Sequence, residues 1–161
     1  MIVVPRPGTG EWGTIASFMR YHAKVSPSPD MVFFGWVSDA QHRRGSLVMG
    51  VSLDGFLGKT AQINVAMAEG FHFVPKAMLR EVFYYAFVTA QREVLLGVLN
   101  SKNTKAMRFD AHLGFREVAR LPGVHENGGD FVLLAMTRGE CRYLDLSEVP
   151  HGQEIRSAAA A

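Results

Sequence analysis

Residues 94 to 115, VLLGVLNSKNTKAMRFDAHLGF, constrain the fold of this chain more than any other stretch, because they hold three signals in a fixed order. The run VLLGVL has the length and the aliphatic, β-branched content of a strand covered on both faces, and Asn100 and Ser101 end it. Asn103 suits the N-cap of a short amphipathic helix, since its side chain can accept from an amide two or three residues on. Gly114 supplies the stop that lets Phe115 begin another strand. A strand, a polar exit and a capped helix in succession place a crevice at the strand's end, where open α/β sheets take their ligands.

The flanking sequence extends this unit. Trp12, Ile15, Ala16 and Met19 recur at helical spacing within residues 9 to 24, and Ser26-Pro27-Ser28-Pro29 breaks the pattern. Three strands follow as a meander, Met31 to Val37, Ser46 to Leu53 and Ala61 to Met67, with polar and glycine-rich turns between them. A long helix from Pro75 to Ala90 comes next; Ala77, Met78, Val82, Phe83, Ala86 and Phe87 give it an apolar face, and Pro75 fits its first turn. Strand, helix, strand, helix, strand in the second half is a parallel crossover joined to an antiparallel sheet, a mixed α/β (α+β) domain.

With 161 residues, 48% of them hydrophobic and 20% charged, the chain has the size and composition of one globular domain. Its apolar runs fall far short of the ~20 residues that span a bilayer, so no membrane partner is expected and a cytoplasmic location is. Cys141 is the single cysteine, which excludes intramolecular disulfides and thiolate zinc sites, and no metal is expected. A net charge of +2 is too small to argue for nucleic acid. The cations cluster instead: Lys76 and Arg80 at the start of one helix, and Lys102, Lys105 and Arg108 around the next, all flanking the crevice.

Asn103 and Ala106, followed by Leu113-Gly114-Phe115, resemble the second half of the acetyl-CoA signature of GNAT superfamily N-acetyltransferases, with the spacing matched without a gap. The likeness covers residues 30 to 144 and continues into Asp130-Phe131-Val132-Leu133-Leu134-Ala135-Met136, the closing strands of the sheet. It implies a single-domain mixed sheet of six or seven strands flanked by helices and splayed between the fourth and fifth strands. The domain would span 1–145, with 146–161 a flexible tail. Arg138-Gly139-Glu140-Cys141-Arg142-Tyr143-Leu144 looks most like small bacterial or phage members near the ribosomal-protein N-terminal acetyltransferases.

The resemblance implies acetyl-CoA as donor substrate, with its pantetheine along Val65 and Met67 and its pyrophosphate on the helix start at His72, Lys76, Ala77 and Met78. Asn103, Lys105 and Ala106 complete the cofactor set. Two departures stand out. Pro75 replaces the first glycine of the family's phosphate turn, with His72 at the Gln or Arg position, and Asp110 stands where many members carry a tyrosine acid. An ionised aspartate cannot donate a proton, so Asp110 reads equally as a helix-surface or a catalytic residue; the acid is open between Ser101, a water and none at all, and the base between Glu69 and His72.

The implied activity is acetyl transfer by direct attack of a primary amine. A protein amine, α-amino or lysine, comes first as acceptor and a small amine second. Trp12, Phe34 and Trp36, the turn 38–45 and the loop 122–129 are expected around the acceptor. The departures also support another class, an impaired GNAT-like module that binds CoA or a protein partner without transfer. A nucleic-acid module is the weakest reading, and the sequence leaves a homodimer open.

Overall fold

The computed structural model describes residues 1–38 and 45–144. One sheet holds seven strands: β1 (Ile2–Val3), β2 (Val32–Ser38), β3 (Ser46–Leu57), β4 (Thr60–Met67), β5 (Val94–Asn100), β6 (Arg116–Leu121) and β7 (Phe131–Thr137). Their order is β1-β2-β3-β4-β5-β7-β6, and every neighbouring pair is antiparallel except β4 and β5. The expected strands are all present, β3 running on to Leu57 through an irregularity after Asp54. Strand β1 is an addition. Its two residues carry no periodicity, and only pairing with Gly35 and Trp36 makes them a strand. The tail 146–161 and most of the turn 38–45 lie outside the described residues.

Helix α1 (Gly10–Ala23) starts at Thr9, whose side chain accepts from the Trp12 amide at 3.2 Å. It buries Ile15, Ala16 and Met19 against one sheet face, with Phe33 and Ala66. Helix α2 (Lys76–Tyr84) and helix α3 (Thr104–Leu113) lie on the other face, where Phe34, Val51, Leu95, Val132 and Met136 meet Met78, Phe83 and Leu113 in the main core. Both crossovers, β4–α2–β5 and β5–α3–β6, move the chain the same way along the sheet, and a right-handed connection therefore puts both helices on one side.

The expected helix 75–90 is not α-helical throughout. From Tyr85 to Thr89 it widens to a π-helix, with the Ala90 amide donating to Tyr85 O at 2.7 Å. The apolar periodicity of Phe83, Ala86 and Phe87 fits either winding, so the side-chain pattern does not reveal the change. Asn103 caps α3 through a 3.1 Å bond from the Ala106 amide, and Gly114 ends it at φ +114°. That backbone region strains any residue with a Cβ, and one placed there would also press on Glu140 O at 3.3 Å.

Candidate functional site

Strands β4 and β5 pair only over Thr60–Gln62 and Val94–Leu96, and then part. The backbone groups exposed by this parting follow from register. The Ala68 amide bonds Val48 O at 2.9 Å, which makes Ala66 and Asn64 hydrogen-bonded partners of β3 and turns the N–H and C=O of Val65 and Met67 toward the gap. On the opposite side, Ser101 N bonds Asp130 O at 2.9 Å, so the alternate residue Val98 faces the gap too. Two strand edges thus stand open to an extended ligand.

Both helices that follow these strands begin beside the gap. In α2 the first helical bond runs from the Leu79 amide to Pro75 O, so the amides of Lys76, Ala77 and Met78 have no intrahelical partner. Pro75 contributes none, yet three remain. In α3 the cap uses Asn103 Oδ1, and Nδ2 has no partner among the described residues. The start of α3 borders the cleft through Asn103, Lys105 and Ala106 and presents about half a positive charge to it, which favours an anion; the start of α2 opens just beyond His72 at its mouth.

The space is a cleft of ≈ 780 Å³ that passes through the sheet. Val65, Met67, His72, Asn103, Lys105, Ala106 and Asp110, all singled out in the sequence, border it. Phe109, Leu113 and Phe115 line the side of α2 and α3, and His22, Ala23 and Lys24 at the end of α1 line the other. Asp110 sits among the apolar groups, and burial pushes its carboxyl up to about 6. Roughly a tenth of it is then protonated at pH 7, so the objection that aspartate cannot donate loses its force.

Other expected residues stand elsewhere. Ser101 Oγ accepts from the Asp130 amide at 2.8 Å, a latch to the β6–β7 loop, and it does not border the cleft. The loop is also held by Asn100 Nδ2 donating to Asn127 Oδ1 at 2.8 Å and by Lys102 Nζ donating to Asn127 O at 2.5 Å. Glu69 lies exposed beyond β4 and does not reach the cleft. Lys76 and Ala77 are exposed at the opening of α2, outside the lining, and Met78 is fully buried in the core, so its amide alone is available. Phe34 and Trp36 pack in the main core, and Trp12 meets Phe33 edge-on at 5.1 Å; none of the three lines the cleft.

No family model and no curated protein matches the sequence. Solved structures do. A chimera of spermidine N-acetyltransferase SpeG from Vibrio cholerae with hSSAT superposes at TM-score 0.67 with 15% identity, over 90% of this chain and 99% of that one. A single-residue variant of SpeG gives 0.65 and 16%, over 92% and 99%. A candidate phosphinothricin N-acetyltransferase gives 0.63 and 16%, over 85% and 98%. The chain has the GNAT N-acetyltransferase fold. The expected splay between the fourth and fifth strands is present as the parting of β4 and β5, and Asn103 and Gly114 bound α3 as expected.

Sequence reasoning missed Asn64, Val98, Asn100 and the end of α1, all of which border the GNAT cleft. A signal existed for Asn64 and Asn100, polar residues in otherwise apolar strands. The approach of His22 and Lys24 had none, because it depends on how α1 crosses the sheet.

Proposed function

We propose that this protein is an acetyl-CoA-dependent N-acetyltransferase acting on a primary amine. The observation that carries the proposal is the cleft itself: two strand edges with unpaired backbone groups and the N-terminus of α3 converge on one space bordered by a protonatable carboxyl. Val65 and Met67 would hold the amides of the pantetheine arm, as an added strand does. The amides of Lys76, Ala77 and Met78 would hold the pyrophosphate, with His72, Lys105 and Asn103 Nδ2 at the mouth. The donor supplies an activated thioester.

Direct attack then asks three things of the chain. An unpaired β4 amide offers the hydrogen bond that an acyl oxygen needs as it gains charge. Asp110 gives its proton to the departing thiolate. His72 is the candidate base at the cleft, since its imidazole borders the space and Glu69 does not reach it. All these groups come from one chain, so a homodimer is not needed to complete the site.

For the acceptor, similarity to proteins named for spermidine and phosphinothricin supports a small amine ahead of a protein amine. Among the described residues no helix is long and apolar enough to cross a membrane, which accords with a cytoplasmic enzyme. The test is thiol release from acetyl-CoA in the presence of spermidine, phosphinothricin, n-butylamine and a short peptide with a free α-amino group. Amine-dependent release with at least one of them is expected. Binding of acetyl-CoA without release for any would favour the CoA-binding module, for which the missing Pro75 amide is the specific support.

A further inference from the structure

Asn64 borders the cleft from β4, and its side chain is fixed on every other side. Its Nδ2 donates to Asp54 Oδ2 at 2.9 Å and to Ser52 Oγ at 3.2 Å, while Gln62 Nε2 donates to its Oδ1 at 3.3 Å. An ionised carboxylate only accepts, so Asp54 determines which end of the amide is nitrogen. Both N–H groups are consumed. What Asn64 has left for the cleft is one lone pair of Oδ1, a hydrogen-bond acceptor and nothing else.

The surroundings are built rather than incidental. Ser52 is the one fully buried polar residue in the described core, and Asp54 accepts from Asn64 Nδ2 in a half-buried position where burial raises its carboxyl pKa. The four polar side chains sit together on the sheet face that carries α1, opposite Asp110 and the helix starts, since alternation along β4 puts Asn64 and Gln62 on that face and Val65 and Met67 on the other.

We infer that Asn64 Oδ1 receives an N–H of the attacking amine, with Asp54 as the positioning residue that locks the amide. The inference rests on the acetyltransferase reading and names the group that orients its nucleophile. A primary amine held by one N–H keeps its lone pair free for the thioester. As nitrogen gains positive charge in attack, its N–H becomes a stronger donor, so the bond to Asn64 tightens at the transition state. The two hydrogen bonds that Nδ2 gives, one of them to a carboxylate, add electron density to Oδ1 and strengthen it further. No covalent step is added.

The experiment measures steady-state turnover against each of the four amines above, and acetyl-CoA affinity by calorimetry, for the wild type, Asn64→Ala and Asp54→Asn. Asn64→Ala is expected to lower kcat/KM for the amine by about 10- to 100-fold. Acetyl-CoA affinity should stay within about twofold of wild type, because Asn64 lies on the sheet face away from the helix starts. Asp54→Asn keeps the volume and a hydrogen bond but lets the Asn64 amide reverse, and should lower kcat by a smaller factor; it also serves as the folded variant if Asn64→Ala does not fold. Unchanged kcat/KM in both variants would overturn the inference, as would an equal loss of acetyl-CoA affinity, which would make Asn64 a support for β4. Absence of amine turnover by the wild type would overturn the enzyme reading itself.

Discussion

Asp110→Asn is expected to stabilise the protein while removing most of its turnover. The sign follows from linkage. Burial raises the Asp110 carboxyl from 3.8 to about 6, so the native state binds that proton more tightly than the unfolded chain does. Below about pH 4 both states are protonated and nothing is lost. Between about pH 4 and 6 stability falls as pH rises, and above that the cost is constant.

The full shift corresponds to about 3 kcal/mol, and contact with cleft solvent reduces it to about 1–2 kcal/mol. Asparagine carries no charge to desolvate. At pH 7.5 the variant should melt about 3–6 °C above wild type, and at pH 4 within about 1 °C of it. Turnover should fall about 100-fold, and the ionisation near pH 6 should vanish from the kcat profile. Equal melting differences at both pH values would mean that Asp110 is solvated, and unchanged turnover would assign the proton to a water.

Phe83→Ala should have the largest effect on stability. Phe83 is fully buried in α2, stacked between Phe87 at 6.3 Å and Tyr143 at 6.1 Å. Truncation removes its transfer energy and leaves a cavity that the sheet, α2 and the segment after β7 cannot close together, a loss of about 3–5 kcal/mol. For a domain of this size that lowers the melting temperature by roughly 10 °C in a thermal scan. A loss below about 1 kcal/mol would show that the core relaxes around the site.

The stretch from Val94 to Phe115 was readable because its determinants are local. The aliphatic run, the asparagine cap and the glycine stop each act within four residues, and all three occur in the structure where their residues place them. What depends on partners was not readable. Two residues of β1 become a strand only against β2, and the π-helical turn keeps the same apolar face as the α-helix it interrupts. The splay is a matter of register, since pairing ends at Gln62 and Leu96 with no break in the sequence of either strand.

The site divides along the same line. Asn103, Lys105, Ala106, Asp110, Val65 and Met67, which the resemblance implied, all border the cleft, because helix spacing and strand alternation carry them to one place. Ser101 and Glu69 were chosen for standing just past strand ends, but sequence position does not say where a side chain turns. Ser101 turns to the Asp130 amide, and Glu69 stays in solvent. The raised carboxyl of Asp110 was not legible: the residue type gives the ordinary carboxylate range, and only burial beside Phe109, Leu113 and Phe115 moves it up to about 6.

The central claim is that the parted strands and the two helix starts bind acetyl-CoA, and titration calorimetry with acetyl-CoA, supported by thermal unfolding, tests it most directly. One site per chain is expected, and ligand at about 100 times its dissociation constant should add about 2.7 kcal/mol, or roughly 5–10 °C. Asn103→Ala should weaken that binding and cost about 1 kcal/mol of helix stability. Absence of both heat and thermal shift at millimolar acetyl-CoA would contradict the account.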